Sequence, residues 1–246
     1  MIYFFDGSED GFLTAFLQAF HDENALLSSQ KTQLIVGEQS LFVSTDSARA
    51  KRARERLLSF DKDAARDLTL LLRCGQADSE QVAFNYLRTL AQRKAPVKTM
   101  LTNRIVFIAV EYMKKVAFET HRFHGFIRFM ESASGALYAP FSPDNDICDL
   151  LLPHFKARLP QYPFVLHDVS RKKAAVDDGE HSFVAPLSQA DVLLSAKETQ
   201  WQALWKGYYN AVNIPSRERL KQMRGYMPAR YWKFLPEKNE NQPPNR

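Results

Sequence analysis

The spacing of the hydrophobic residues changes along this chain, and this change limits the folds that it can adopt. In the first 120 residues they recur mainly every three or four positions, as in Phe12, Phe16 and Phe20, which is the spacing of one helix face. From Phe123 onward the side chains alternate between two faces, which is typical of a strand. The sequence therefore predicts a mainly helical region followed by a region that contains a sheet.

The N-terminal region begins with a predicted strand. MIYFFDGS is a short apolar strand that runs into Asp6-Gly7-Ser8, a turn that can also cap a helix. TQLIV and SLFVS predict two further strands around Gly37-Glu38. Helices are then predicted at SARAKRARERLLSF, with Thr45 or Asp46 as its cap, and at about 62–73, 79–93 and 102–120.

Residues 123–187 predict strands and one helix in the order ββαβββ. FHGFIRFMES and GALYAPF predict a hairpin that turns at Ser134-Gly135, and KAAVDDGEHSFVAPL predicts another that turns at Asp177-Asp178-Gly179. A helix at about 144–159 and the strand PFVLHDV lie between them. Because short links favour antiparallel pairing, we expect a small antiparallel sheet packed with several helices, and therefore an α+β fold.

The C-terminal region predicts further helices. A capping box at Ser188-Gln189-Ala190-Asp191 predicts a helix that runs to about Val212, and two short helices follow, the second starting at Pro228. Pro96 marks a candidate domain boundary. We expect a strand and helix region at 1–96, an α+β domain at 97–238 and a disordered tail at 239–246, either as separate units or as one compact unit.

Composition and motifs exclude several classes of protein. No run approaches the 18 or more apolar residues of a membrane span, and the start lacks the basic region of a signal peptide. Cys74 and Cys148 are typical of reduced thiols in a cytoplasmic protein. A glycine-rich phosphate loop and a G-x-S-x-G motif are missing from the sequence. We therefore expect a cytoplasmic protein without a membrane span, a metal or a cofactor.

The positive charge of the chain is concentrated near its C-terminus. Residues 201–246 carry a net charge of +6, whereas the preceding 200 residues are close to neutral. A local basic region favours contact with a polyanion such as nucleic acid. A solvated basic helix face is the structural alternative.

Histidines and arginines gather around the predicted sheet. His124, His154 and His167 are candidate catalytic residues, although each is also compatible with a hydrogen-bonded structural role. Arg128, Arg158 and Arg171 suit phosphate binding, because a guanidinium group can hold two phosphate oxygens at once. The alternative is a set of ion pairs between these arginines and the aspartates at 144, 146, 149 and 168.

The segment RGYMPARYWKFLPE, at 224–237, mixes aromatic and basic residues. In a helix that starts at Pro228, Tyr231, Phe234 and Leu235 share one face and are predicted to pack. The remaining residues suit single-stranded or locally opened nucleic acid, and the candidate binding residues in this segment are Arg224, Arg230, Trp232 and Lys233.

These motifs together resemble a family. The resemblance is carried by HGFIRF (124–129), the HF-x-x-R of 154–158, the strand with His167-Asp168, and N-x-P with M-P-x-R-Y-W-x-x-L-P-E (213–237). These pieces are similar to a domain of unknown function from bacterial DNA repair contexts. That domain is fused ahead of some uracil-DNA glycosylases. YFFDGSEDGFLTAFLQAF resembles the stand-alone members, which are labelled as DNA metabolism or DNA repair proteins and accompany a radical SAM protein. A glycosylase motif does not follow Glu237, so uracil excision is not implied.

Three functions are consistent with this sequence. The resemblance and the basic C-terminal region favour a DNA-binding accessory protein in DNA repair or modification, with a radical SAM protein as its partner. The first alternative is an enzyme that acts on a nucleotide or damaged base in a pocket lined by histidine and arginine. The second alternative is a protein-binding adaptor that does not contact nucleic acid.

Overall fold

The computed structural model describes residues 1–29, 39–214 and 219–238. The chain divides into two compact units, Met1–Ala117 and Phe118–Arg246. The boundary suggested by Pro96 stays a prediction. The strand predicted at TQLIV and the tail predicted at 239–246 lie outside the described residues.

The first unit combines a small sheet with helices. Its elements are, in chain order, β1 (Ile2–Phe4), α1 (Glu9–Ala19), β2 (Leu26–Ser28), β3 (Ser40–Phe42), α2 (Ser47–Phe60), α3 (Ala64–Leu72), α4 (Ser79–Arg93) and the first part of α5 (Arg104–Phe126). The strand order is β2-β1-β3, and both pairs are parallel. Parallel strands require a crossover connection, and α1 supplies it between β1 and β2.

Local signals explain how α1 and α2 begin. The Ser8 hydroxyl accepts a hydrogen bond from the Gly11 amide at 2.9 Å, and the Asp46 carboxylate accepts one from the Arg49 amide at 2.9 Å. Each bond satisfies one of the amides that a helix leaves unpaired in its first turn. The turn predicted at Asp6-Gly7-Ser8 is therefore confirmed as a cap, and Asp46 is the cap of α2.

The core of the first unit is formed mainly by aromatic and aliphatic side chains from β1, β2 and the helices α1 to α5. Phe5 and Phe12 pack edge to face at 5.6 Å, and Phe16 and Phe84 do the same at 5.8 Å. Their burial supplies most of the driving force for this unit, since each buried large apolar side chain contributes roughly 1.5–3 kcal/mol.

The second unit contains a five-stranded sheet. Its elements after α5 are β4 (Met130–Glu131), β5 (Leu137–Phe141), α6 (Cys148–Arg158), β6 (Phe164–Asp168), β7 (Lys173–Asp177), β8 (Ser182–Pro186), α7 (Glu198–Val212), α8 (Leu220–Tyr226) and a 3₁₀ helix at Ala229–Phe234. The strands lie in the order β4-β5-β6-β7-β8. The mixture of helices and small sheets confirms the α+β class.

The sheet differs from the expected antiparallel one in a single pair. β5 and β6 are parallel, with Pro140 opposite His167, whereas the other three pairs are antiparallel. The reason is the connection: α6 carries the chain back along the sheet, so β6 starts at the same end as β5. Both predicted hairpins are present, and their turns contain Gly135 and Gly179 at positive φ, a conformation that other residues rarely adopt.

The strand predicted at Phe123 is wrong, because α5 continues to Phe126. Val116, Glu119, Phe123 and Ile127 are all buried, and their spacing of three and four residues continues the same helix face. Adding a turn to an existing helix requires no new nucleus, whereas a separate strand would.

Two further predictions need correction. Residues 188–197 are irregular and α7 begins only at Glu198, because Leu193 and Ser195 bond instead to the backbone beside β4: the Ala133 amide donates to the Leu193 carbonyl at 2.8 Å, and the Ser195 amide donates to the Glu131 carbonyl at 2.9 Å. The helix predicted from 144 begins at Cys148, since the Asp144 and Asn145 amides donate to Glu119.

Within residues 1–29, 39–214 and 219–238, every helix is too short or too polar to cross a membrane.

Candidate functional site

A cavity of about 890 Å³ lies within the second unit. Its lining comes from the residues around β4 and β5, from the irregular segment at 190–195, from one face of α7 and from the end of the 3₁₀ helix. The backbone bonds of 193–195 to β4 hold that segment across the sheet edge, and so the segment forms a wall.

The charged lining of the cavity is mainly basic. Arg128, Lys206 and Lys233 contribute cations, and Asp191 contributes a carboxylate. Tyr138 and Phe234 add aromatic surface beside them. Cations next to aromatic rings form an arrangement that can hold a phosphate group and a base together.

Arg128 is also part of a buried network. Its Nη2 atom donates to Glu237 Oε1 at 2.8 Å, and Trp205 Nε1 donates to the other oxygen, Oε2, at 2.9 Å. The Glu237 side chain is only 3% exposed. Burial alone would raise the pKa of Glu237, but the hydrogen bonds that it accepts keep the pKa below its usual value. Arg128 therefore fixes the cavity wall as well as lining it.

Tyr138 and His167 form a hydrogen-bonded pair at the cavity wall. His167 Nε2 lies 3.0 Å from the Leu187 carbonyl, which can only accept, so this nitrogen carries the proton. His167 Nδ1, 2.6 Å from Tyr138 Oη, then accepts from the tyrosine hydroxyl. Burial raises the pKa of Tyr138. His167 itself is almost completely buried and does not line the cavity.

His124 and His154 stack on each other away from this cavity. Their rings are 4.0 Å apart and nearly parallel, and His121 lies 6.2 Å from His124. Both Nε2 atoms are buried without a hydrogen-bond partner among the described residues. Burial lowers the pKa of His124, and the neighbouring His154 and His121 lower it further. His121 and His124 both lie on the last turns of α5.

The other predicted arginines occupy different environments. Arg171 donates to the carbonyls of Pro143 and Asp144 and to the Asp168 carboxylate, so the ion-pair alternative describes it. Arg158 is exposed at the end of α6 and does not line the cavity. Arg128 and Arg158 are thus not brought together in this cavity, and none of the three candidate histidines lines it.

The aromatic and basic segment at 224–237 forms α8 and the 3₁₀ helix. Tyr231 and Leu235 are buried, as the helical spacing predicted, whereas Phe234 is half-buried. Trp232 is also half-buried and donates from Nε1 to the Met227 carbonyl at 3.0 Å. Arg224 and Lys238 lie over its ring at 5.9 and 5.5 Å.

Arg230 and Lys233 in this segment remain exposed. Arg230 pairs with Asp144 and donates to the Tyr231 hydroxyl at 3.0 Å. Lys233 lies 4.7 Å from the centre of the Phe234 ring and reaches the cavity lining.

Helix α7 presents an aromatic face that the sequence reasoning did not single out. Trp201, Trp205 and Tyr208 follow each other at steps of four and three residues, and their side chains are 56%, 38% and 59% exposed. The spacing of these rings within the predicted helix was the available signal.

Metal binding has no evident site in the part of the chain that the structure describes. Groups of three or more histidine, cysteine, aspartate or glutamate side chains placed to hold an ion do not occur there. Cys74 and Cys148 are both buried, and burial raises the pKa of Cys148 to about 12, which keeps its thiol protonated.

Comparison with known proteins places the chain in a family. Curated proteins and solved structures give no match to this chain. The model of a family described as a domain of unknown function, DUF4130, matches residues 77–237. Because this match covers more than half of the sequence, the chain belongs to the DUF4130 family of domains of unknown function.

Proposed function

We propose that this protein binds nucleic acid as an accessory protein in DNA repair or DNA modification, and that it works beside a separate radical SAM protein in the cytoplasm. The observation that carries the proposal is the cavity of the second unit, which combines three cations with aromatic side chains. The repair context is supported by the resemblance of the motifs at 124–129 and 213–237, and the radical SAM partner is supported by the resemblance of residues 3–20 to the stand-alone members.

The charges of the cavity favour a phosphate backbone as its ligand. Lys206 and Lys233 approach it from α7 and from the 3₁₀ helix, so their ammonium groups can contact successive phosphates. Arg128 is held in place by Glu237 and serves mainly to position this wall. Binding of this kind depends on charge rather than on sequence, and it weakens as salt concentration rises.

The test is a binding titration of the purified full-length chain against labelled single-stranded, duplex and uracil-containing DNA at several salt concentrations. Lys206→Ala and Lys233→Ala should each weaken binding equally for all sequences and reduce the salt dependence by roughly one phosphate contact. Lys62→Ala removes the same charge from an exposed position in the first unit and is the matched control. Failure of the wild type to bind any of these DNAs at low salt would refute the proposal.

The partner is tested by the same titration with the radical SAM protein added. Tighter binding of DNA by the mixture than by either protein alone would support an accessory role. Additive binding would argue that the two proteins act independently.

A second candidate function is an enzyme that acts on a nucleotide or damaged base, and the Tyr138–His167 pair favours it. A hydroxyl group, a base that accepts its proton and a carbonyl that orients this base form an arrangement suited to proton transfer. The raised pKa of Tyr138 keeps its hydroxyl protonated at neutral pH, so Tyr138 would pass its proton to His167 Nδ1 only while its oxygen takes a proton from the substrate, and a tyrosinate would not form.

Product analysis distinguishes the two candidates. The protein is incubated with DNA that carries uracil or an oxidised base, and release of a base or cleavage of the strand is followed by mass spectrometry. Turnover that Tyr138→Phe abolishes without loss of DNA affinity would favour the enzyme. Unchanged DNA after long incubation would favour binding alone.

A further inference from the structure

Helix α7 has one face that its own unit leaves uncovered. Trp201, Leu204, Trp205, Tyr208 and Val212 recur at steps of three and four residues, and we call this surface the α7 face. Trp201, Leu204, Tyr208 and Val212 are all more than half exposed, while Glu198 is the buried residue of this helix. Large apolar side chains grouped in this way mark an interaction surface.

The α7 face is held in a fixed orientation by hydrogen bonds along one edge, where Glu198, Trp205 and Tyr209 lie next to each other on the helix. Glu198 accepts a hydrogen bond from the Glu131 amide at 2.9 Å, and Trp205 Nε1 donates to Glu237. Lys238 Nζ donates to the Tyr209 hydroxyl at 2.6 Å. These anchors fix the helix, so the rings of the α7 face are presented to solvent without a rearrangement of the unit.

The rings are arranged as a platform for flat ligands. The Trp205 and Tyr208 rings are 5.8 Å apart and tilted by 35°, and the guanidinium of Arg128 lies 5.1 Å from the Trp205 ring. Trp201 stands one turn before Trp205 on the same face. Unpaired bases stack on exposed aromatic rings of this kind, whereas paired bases inside a duplex are not available for stacking.

Charge identifies the occupant of the α7 face. Lys206 lies on the same helix and lines the basic cavity, and residues 201–246 carry a net charge of +6. If the α7 face bound a second copy of this chain, the basic C-terminal regions of the two copies would come close together. Repulsion between their like charges disfavours that contact. A polyanion gains from the same charges, and a single-stranded nucleic acid supplies both phosphates for the cations and bases for the rings.

We infer that the α7 face binds unpaired bases of single-stranded nucleic acid, with Trp201 and Tyr208 as the stacking residues and the cavity cations on the phosphate backbone. This inference rests on the proposed function, since it names the form of nucleic acid that the protein holds. It assigns to α7 a binding role that does not require any reaction at Tyr138 or His167.

The experiment measures fluorescence anisotropy with labelled oligothymidylate of about 20 nucleotides and with a duplex of the same length. Trp201→Ala and Tyr208→Ala should each weaken single-strand binding about 5- to 150-fold and leave duplex binding within about twofold. Trp201→Phe retains a ring and should restore most of the affinity. Tyr162→Ala removes a similarly exposed ring from the segment between α6 and β6, outside the α7 face, and is the matched control that should change little. Leu204→Ala removes an apolar side chain without a ring from the face itself and should weaken single-strand binding less than Trp201→Ala.

Three results would overturn the inference, and they differ from failure of the proposed function. If Trp201→Ala and Tyr208→Ala bind single strands as the wild type does, the α7 face is not a binding surface for bases, and the proposed function is unaffected. Equal weakening for Leu204→Ala and Trp201→Ala indicates general apolar docking, as in a protein-binding adaptor, and refutes stacking. Equal weakening on duplex and single strand refutes the preference for unpaired bases. Absence of DNA binding in the wild type refutes the proposed function itself.

Discussion

Arg128 and Glu237 are 109 residues apart in the sequence, yet the guanidinium of Arg128 donates to the carboxylate of Glu237 at 2.8 Å. Glu237 is buried and also accepts the indole hydrogen bond of Trp205. This carboxylate therefore joins the chain just after α5, the middle of α7 and the end of the 3₁₀ helix. The cavity and the α7 face both depend on it.

The first prediction concerns this carboxylate. Glu237→Ala should lower the free energy of unfolding of the second unit by roughly 3–5 kcal/mol, because it leaves Arg128 without its charge partner in a largely buried site. Unfolding is followed by tryptophan fluorescence, since Trp201, Trp205 and Trp232 all lie in this unit. A double-mutant cycle with Arg128→Ala should give a coupling energy of about 0.5–3 kcal/mol, and additive effects would contradict the pairing.

A second prediction concerns Tyr231, whose hydroxyl donates to the buried carboxylate of Glu119. Glu119 also accepts from the amides of Asp144 and Asn145, so it joins α5 to the loop before α6 and to the 3₁₀ helix. Tyr231→Phe should cost roughly 1–3 kcal/mol, because a buried acceptor loses one partner. Tyr162→Phe, at an exposed position, is the control, and equal unfolding midpoints for both variants would refute the role of this bond.

The features of the fold that the sequence predicts correctly are set by residues close together in the chain. The caps at Ser8 and Asp46 act over three residues, and the two hairpins turn at Gly135 and Gly179, where the required positive φ is local information. Hydrophobic spacing likewise gave the helices at 47–60 and 79–93. The α+β class follows from these local elements.

The features of the fold that could not be predicted from the sequence depend on contacts between residues far apart in the chain. Phe123 and Ile127 fit a strand and a helix face equally well, and only the fold shows that both are buried on the continued face of α5. The parallel pairing of β5 with β6 follows from the path that α6 takes across the sheet. The spacing of hydrophobic residues does not specify that path.

The candidate site is likewise formed by contacts between residues far apart in the chain, and this limits its prediction from the sequence. Arg128 was chosen as a phosphate ligand, but its partner Glu237 was not visible from local sequence. His167 meets Tyr138 because their strands are neighbours in the sheet. Trp201 and Tyr208 carry the signal of an amphipathic helix, and only the fold shows that this face is left exposed.

A third prediction concerns pH. The pKa of His124 is lowered in the folded chain by burial and by His154 and His121, so the unfolded chain binds a proton first, at its ordinary pKa of about 6.5. Stability should therefore fall as pH decreases from about 7.5 through 6.5, and the loss should stop once the folded chain also binds the proton. The measurement is the unfolding midpoint in urea as a function of pH.

His124→Phe tests this origin of the pH dependence. Phe retains a ring against His154 and removes the titrating group, so the decrease in stability below about pH 7 should become smaller. His181→Gln changes an exposed histidine and should leave the profile unchanged. An identical profile for wild type and His124→Phe would show that other groups cause the pH dependence.

A fourth prediction concerns Arg230 and Lys233 at the end of the chain. The pair between Arg230 and Asp144 is about half exposed on both sides, so Arg230→Ala should change stability by less than about 1 kcal/mol. If the segment at 224–237 contacts nucleic acid, Arg230→Ala and Lys233→Ala should still weaken DNA binding and each reduce the salt dependence by roughly one contact. Wild-type affinity in both variants would contradict this contact.

The last prediction separates packing from binding at Trp232. Its ring is half-buried between Arg224 and Lys238, so Trp232→Ala should cost roughly 1–3 kcal/mol of stability, less than the roughly 3–5 kcal/mol of a fully buried tryptophan. The exposed part of the ring should stack on a base, so the same variant should lose roughly 1–3 kcal/mol of single-strand binding and much less on duplex. Trp232→Phe keeps a ring but loses the indole bond to Met227, and it should recover more binding than stability. A loss of stability close to that of a core tryptophan, with unchanged single-strand affinity, would assign Trp232 to packing alone.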